Sequence, residues 1–343
     1  MTNVLPRRRA LALTGVLGAA ALALAACGSS GEAAGTPDGD AAGGDGLTPI
    51  TVGISQFVQH PALDAATTGF KQAFLDAGYV EGETVTFDEQ NAAGDVANTT
   101  TIASTFAGDD LDLVLAVATP SAQAAAQALT DVPVLFTAVT DPVAAGLVAS
   151  NEAPGANVTG TSDLNPVADQ LALLKEILPD ATKVGIVYSS GEVNSEVQVE
   201  LAKEAAGGLG LEIVEATITN ASEIQQSAES LGDVDAIYVP TDNAVVSGIA
   251  ALVQLAESKG IALIGAEAGT VEGGAIATVG IDYEALGLQT GEMGVAIVDG
   301  ADPATMPVET LKTLQLVINP AAAERMGVTL PDSVVDRADK VIE

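Results

Sequence analysis

Apolar runs and helix-patterned stretches alternate along the chain from Thr48 onward. A run over 50–55 reads as a strand, and over 62–77 Leu63, Phe70 and Phe74 share one helical face, with Gly78 just beyond as a stop. Next come a strand over 84–88, a helix over 96–106, a strand over 111–118, a helix over 121–129 and a strand over 132–136 introduced by Asp131. Strands separated by helices have the long crossovers that parallel pairing needs, so a parallel sheet is expected.

The order then recurs. Strands over 183–188, 212–217, 234–239 and 261–264 alternate with helices over 196–207, 222–231 and 243–258. DLDLVLAVATPSAQ, from Asp110, and DVDAIYVPTDNAVV, from Asp233, each pass from an acidic lead through an apolar strand to a Thr-led polar turn and an Ala-rich helix. Two copies of one α/β unit imply two α/β lobes with parallel sheets. A strand over 275–281, a helix over 286–298 and a strand near 311–318 are one pair too many for the second lobe. The chain is therefore expected to cross between lobes three times, near 161–167, 268–274 and 306–311, as a three-crossover hinge. Lobe 1 would be 48–163 plus 275–306, and lobe 2 would be 167–268 plus 311–343.

The first residues follow another pattern. Arg7, Arg8 and Arg9 precede an apolar stretch that ends in Leu24-Ala25-Ala26-Cys27, too short and too rich in small residues for a spanning helix. Residues 1–26 read as a secretion signal. Leu-Ala-Ala-Cys resembles the lipobox of bacterial lipoproteins, which implies cleavage before Cys27 and lipid on its sulfur, hence a membrane-anchored, extracytoplasmic protein. Cys27 is the one cysteine, so no internal disulfide is expected. Residues 27–47 are Gly, Ala and Asp with almost nothing to bury, a disordered linker.

Charge and chemistry narrow the function. Twelve basic residues against 46 acidic ones give −34, and removing the signal takes away three arginines and no acid, leaving −37. Nucleic acid is excluded as a partner by the lack of clustered Lys and Arg. His60 is the single histidine, so no multi-histidine metal site exists, and neither a G-x-S-x-G elbow nor a phosphate-binding glycine loop is present. No metal, no cofactor and no enzymatic activity are expected, with an anchored hydrolase using His60 as the alternative from another class.

In open parallel sheets the ligand sits beyond the carboxyl ends of the strands. There the first copy carries Gln56 and Phe57, then Thr119, Pro120 and Ser121, then Thr140 and Asp141. The second carries Glu192, Asn194 and Ser195, then Thr241, Asp242 and Asn243. Helix capping requires one polar side chain, and these ends hold several. Facing strand ends from two lobes would enclose a cleft.

The segments ATPSAQAA, PVLFTAVTDPVAAGLV, GANVTGTSD, KVGIVYSSGEVNS, VDAIYVPTDNAVV and GGAIATVGIDYEALG resemble the substrate-binding proteins of ABC importers in the TrpX-like family. That resemblance runs from about Thr48 to Gly327. It implies a type I periplasmic-binding-protein fold of two Rossmann-like lobes, a small ligand, often an aromatic amino acid, and a permease with its ATPase as partners of a monomeric receptor. For a zwitterion, Thr119, Ser121 and Thr140 suit the carboxylate, and Asp242, with Asp141 and Glu192 as rivals, suits the ammonium. Asp141 before Pro142 has a second reading, as the brace of its own turn. Phe57, Tyr188 and Tyr283 are the aromatics for an apolar ligand side chain. Aromatic residues are 3 % of the chain and tryptophan is absent, so a branched or smaller apolar amino acid fits as well. A sugar, nucleoside or other small solute, feeding a sensor, is the alternative within the binding class.

Overall fold

The computed structural model of the protein describes residues 47–342; the expected signal sequence, Cys27 and nearly all of the linker lie outside the described residues. The first lobe opens with β1 (Ile50–Gln56), α1 (Pro61–Asp76), β2 (Val85–Asn91), α2 (Val96–Phe106), β3 (Leu113–Val117), α3 (Thr119–Ala128), β4 (Val134–Val139) and β5 (Val158–Ser162). Every residue of β3 and β4 is buried, as expected of strands covered on both faces. Strand β5, VTGTS, is also wholly buried, although its polar sequence carries no apolar run. Its Thr161 hydroxyl meets those of Thr137 at 3.1 Å and Thr290 at 2.7 Å, which satisfies the polarity inside the core.

The second lobe contains α4 (Val167–Ile177), β6 (Lys183–Ser189), α5 (Val193–Leu209), β7 (Glu212–Ile218), α6 (Ile224–Ser230) and β8 (Ala236–Val239). It continues with α7 (Asn243–Ser247), α8 (Ile249–Lys259), β9 (Ala262–Gly265), α9 (Ala268–Glu272) and β10 (Ala277–Gly280). The helix expected over 243–258 is thus two helices, parted at Gly248. The chain then returns to lobe 1 with α10 (Tyr283–Val298) and β11 (Glu309–Thr310), and ends in lobe 2 with β12 (Gln315–Ile318), α11 (Pro320–Arg325), α12 (Asp332–Val335) and β13 (Lys340–Val341).

Two sheets result, ordered β11-β5-β4-β3-β1-β2 and β13-β12-β10-β9-β8-β6-β7. All pairings are parallel except β10 with β12. Three connections join the lobes, between β5 and α4, between β10 and α10, and between β11 and β12. The second differs from the expected 268–274: β10 stays in the second sheet beside β9, and Ala275, Ile276 and Ala277 belong to that lobe's core. The crossing falls at Ile281–Asp282, because Ile281 and Tyr283 already pack in the first core. An apolar strand suits either sheet equally, so its sequence did not decide which one it joins.

Helix α10 completes lobe 1 by lying on α1 at very short range. A Cβ at Gly287 would stand 1.9 Å from the Ala66 carbonyl oxygen, and one at Gly69 would stand 2.0 Å from that of Glu284. Glycine at both positions permits this approach.

Candidate functional site

In each sheet the strand order reverses at one point, and there the loops splay to leave a crevice. In lobe 1 this lies between β1 and β3, bordered by Ser55 to His60 after β1 and by Ala118 to Ser121 after β3. In lobe 2 it lies between β6 and β8, bordered by Ser189 to Asn194 and by Pro240 to Asn243.

The second lobe's wall is a closed hydrogen-bond network. Asp242 caps α7, accepting from the Val245 amide at 2.8 Å, from the Ser189 amide at 2.5 Å and from the Ser195 hydroxyl at 2.7 Å. Glu192 accepts from the Ala244 amide at 3.1 Å, the Asn243 amide at 3.2 Å, the Asn243 side chain at 2.5 Å and the Asn194 side chain at 3.1 Å. Two carboxylates therefore secure one short helix terminus. Burial, joined by the neighbouring Asp242 charge, pushes the Glu192 carboxyl up to about 7, and burial also raises Asp242.

The first lobe's wall is strained and unsatisfied instead. Ala118 has φ +77° and ψ 154° at the start of α3, and Ala138 has φ +55° where the β4–β5 register slips. A side chain rarely adopts such angles, and they persist only where the surroundings impose them. The hydroxyls of Ser55, Thr119 and Ser121 are buried without a partner among the described residues.

Between the walls lies a cavity of about 20 Å³ lined from both sides, by His60, Leu63, Ala138, Thr140, Asp163 and Tyr283 of lobe 1 and its hinge, and by Asn194, Thr241, Asp242, Asn243, Val246 and Glu267 of lobe 2. That is room for about one water. The lobes touch directly there: Thr140 and Thr241 hydroxyls are 3.3 Å apart, and His60 Nε2 is 3.4 Å from Asn243 Oδ1. Burial holds the His60 imidazole down to about 4, so it is neutral at physiological pH.

Asp163, Glu192, Asp242 and Glu267 are the buried carboxylates among the described residues, and no Lys or Arg is buried with them. Three line the cavity, and Glu192 is bonded to its wall. Asp163 accepts from Tyr283 Oη at 2.6 Å and from Thr140 Oγ1 at 3.0 Å. Glu267 caps α9 through the amides of Gly269 at 2.6 Å and Thr270 at 2.8 Å, and burial pushes it up to about 7. The surface ion pairs, such as Lys340 with Glu272, leave this interior charge uncompensated.

Of the residues singled out from sequence, Thr140, Asn194, Thr241, Asp242 and Asn243 come together at the cavity. Thr119, Pro120 and Ser121 form the first turn of α3 at the switch point. Gln56 is engaged within lobe 1, donating to the Asp64 carboxylate at 2.7 Å and to the Val58 carbonyl at 2.9 Å and accepting from Thr67 at 2.9 Å. Phe57 packs in the lobe 1 core. Asp141 braces its turn, accepting from the amides of Val143 at 3.0 Å and Ala144 at 2.9 Å. Tyr188 bonds Glu215 on the surface at 3.0 Å, away from the cavity, whereas Tyr283 lines it. Sequence reasoning passed over Asp163, the last residue of GANVTGTSD, because it follows a strand with no apolar run.

Two lobes joined by three crossing segments, with polar strand ends from both meeting around one small cavity, are the architecture of a two-lobed small-molecule receptor. Residues 51–342 match the family model of the ABC transporter substrate binding protein, and the chain belongs to that family of binding proteins. It is 45 % identical over 269 residues to the "Tyrosine-binding protein" of Clostridioides difficile (strain R20291), covering 78 % of each chain. A Streptococcus pneumonia structure, an ABC domain in complex with L-Trp, is 38 % identical with TM-score 0.83 over 86 % of this chain and 100 % of that one. The ligand-free, open structure of a substrate-binding protein with adhesive properties from Clostridium difficile is 45 % identical with TM-score 0.66 over 86 % of this chain and 99 % of that one. The type I periplasmic-binding-protein fold expected from the sequence is present, with the one antiparallel strand pair as its exception.

Proposed function

We propose that the chain is the extracytoplasmic receptor of an ABC importer, held to the membrane by lipid on Cys27, and that it captures an amino acid, aromatic ones foremost, between its lobes. The observation that carries the ligand class is the set of four buried carboxylates around one cavity with no buried Lys or Arg. Burying uncompensated charge is costly, and a ligand ammonium relieves that cost. At the other end, the unpartnered Thr119 and Ser121 hydroxyls at the N-terminus of the ten-residue α3 suit an α-carboxylate. Relatives named for tyrosine and solved with L-Trp support an aromatic side chain. Leu63, Ala138, Val246 and the ring of Tyr283 are the apolar surfaces beside it.

Function then follows from hinge motion. Each lobe holds half the site, and a ligand that touches both shifts the population toward the closed form, which a membrane permease and its ATPase would receive. Among the described residues no helix is long and apolar enough to cross a membrane, which leaves the lipid on Cys27 to anchor the protein in this reading. Calorimetric titration with the twenty L-amino acids and a panel of sugars and nucleosides tests the reading. Tight binding of tyrosine, tryptophan or phenylalanine is expected. Binding of sugars or nucleosides alone would overturn the ligand class.

A further inference from the structure

Resting on the amino-acid reading above, we propose that the ligand's α-ammonium is held across the cleft between Asp163, on the first crossing segment, and the Oδ1 of Asn194, on the second lobe, so that Asp163 selects for a free amino group.

Hydrogen-bond capacity separates Asp163 from Glu192 and Asp242, and the kind of donor separates it from Glu267, which accepts as many bonds but from the amides of a helix that it caps. A carboxylate has about four lone-pair sites. Glu192 accepts four bonds and Asp242 three, from the first turns of α5 and α7 and, for Asp242, also from the last residue of β6. Glu267 is turned into the first turn of α9 by two amides. Asp163 accepts one hydroxyl on each oxygen, from Tyr283 and from Thr140, so each oxygen keeps an acceptor site on a residue that lines the cavity. The titratable groups around it are Tyr283 and Glu267, with a neutral His60 also on the cavity wall, and none supplies a positive charge. Burial raises its carboxyl against the pull of both hydroxyls, as happens when a charge lacks a counterion.

A second, independent atom points the same way. Asn194 is 3 % exposed and lines the cavity, and its amide nitrogen donates to the Thr241 carbonyl at 2.8 Å and to Glu192 at 3.1 Å. Those bonds fix the amide so that Oδ1 lacks a donor among the described residues. A chain of contacts joins it to Asp163: Asn194 to Thr241, Thr241 to Thr140 at 3.3 Å, and Thr140 to Asp163. An ammonium brings three N–H donors, enough for Asp163 on one lobe and Asn194 on the other, with a charge-assisted bond to the carboxylate. Its seat on a crossing segment ties recognition to closure: the ammonium docks on Asp163, and the second lobe completes its bonds.

The test compares amino acids with their desamino acids on the full-length protein by calorimetry: L-tryptophan against indole-3-propionate, and L-leucine against 4-methylpentanoate. The wild type should prefer the amino acid by on the order of 100-fold or more, since a site built around N–H donors rejects analogues lacking them. Asp163→Asn should reduce that preference to about 5-fold or less while leaving affinity for the desamino acid within about 3-fold, which a merely structural role would not do. Asn194→Ser should lower the preference about tenfold, and it decides the matter where Asp163→Asn does not fold. Full preference retained in either folded variant would overturn the assignment and leave the amino-acid reading intact. A wild type that binds no amino acid would overturn both.

Discussion

The hydroxyl oxygens of Thr140 and Thr241 stand 3.3 Å apart, one from each lobe, and Thr140 simultaneously bonds Asp163 on the first crossing segment. A contact between lobes is thereby wired to the hinge. Thr241→Val removes it and is expected to cost about 1 kcal/mol of the closed form, raising ligand dissociation roughly 3–10-fold with little change in association. Stopped-flow fluorescence or surface plasmon resonance reads both rates, and an unchanged dissociation rate would show the contact to be incidental.

Asp242, which its place in the repeat suggested as an ammonium partner, caps α7 from the cavity wall. Its carboxylate is bound by two amides and one hydroxyl while 0 % exposed, so Asp242→Ala leaves three buried donors unanswered. A loss of about 2–4 kcal/mol in folding stability is expected. Urea unfolding measures it; wild-type stability would contradict the capping role.

His60 and the buried glutamates respond to pH in opposite senses. For Glu192 and Glu267, held at about 7 against an ordinary 4.5, the stabilising difference is full below 4.5 and is lost as pH rises to about 7. For His60, held at about 4 against 6.5, stability is full above 6.5 and is lost as pH falls toward 4. Between about 4.5 and 6.5 the one histidine offsets about one of the two glutamates, so wild-type stability falls gently as pH rises. His60→Gln removes one side, so its stability should fall more steeply than the wild type's as pH rises through that window, the curves diverging by on the order of 2 kcal/mol. Parallel curves in denaturant titrations at several pH values would rule this out.

Helix α10 depends on its glycines. Gly287→Ala places a Cβ 1.9 Å from the Ala66 carbonyl oxygen unless the helices part. A destabilisation of about 1–3 kcal/mol is expected, seen as a lowered Tm. Because Tyr283 begins that helix and bonds Asp163, ligand affinity should fall with it.

Cys27→Ser tests the anchor separately from the site. Radiolabelled palmitate should enter the wild type and not the variant, and the variant should appear in the soluble fraction with unchanged ligand affinity. Membrane retention of the variant would refute lipid anchoring.

Much of the fold was legible because its causes are local. The continuous apolar runs over 113–117 and 134–136 announce strands buried on both faces, and the recurrence from Asp110 to Asp233 announces two lobes. The second crossing was misplaced because ATVG would bury equally well in either sheet. At the site, the strand-end residues Thr140, Asn194, Thr241 and Asn243 were recognisable from their position. Asp163 was not, since it follows a strand whose Thr161 is satisfied by Thr137 and Thr290, far away in sequence.

By itself the sequence determined the alternation of strands and helices, the duplicated unit, the acidic balance and the clustering of polar residues at strand ends, all of which depend on neighbours along the chain. The tertiary structure alone decided which carboxylates are spent. Asp242 is claimed by the amide of Ser189, 53 residues away, while Asp163 meets only Thr140 and Tyr283. Hydrogen-bond capacity is set by which atoms come within about 3 Å of one another, and for residues so distant in sequence only folding brings that about.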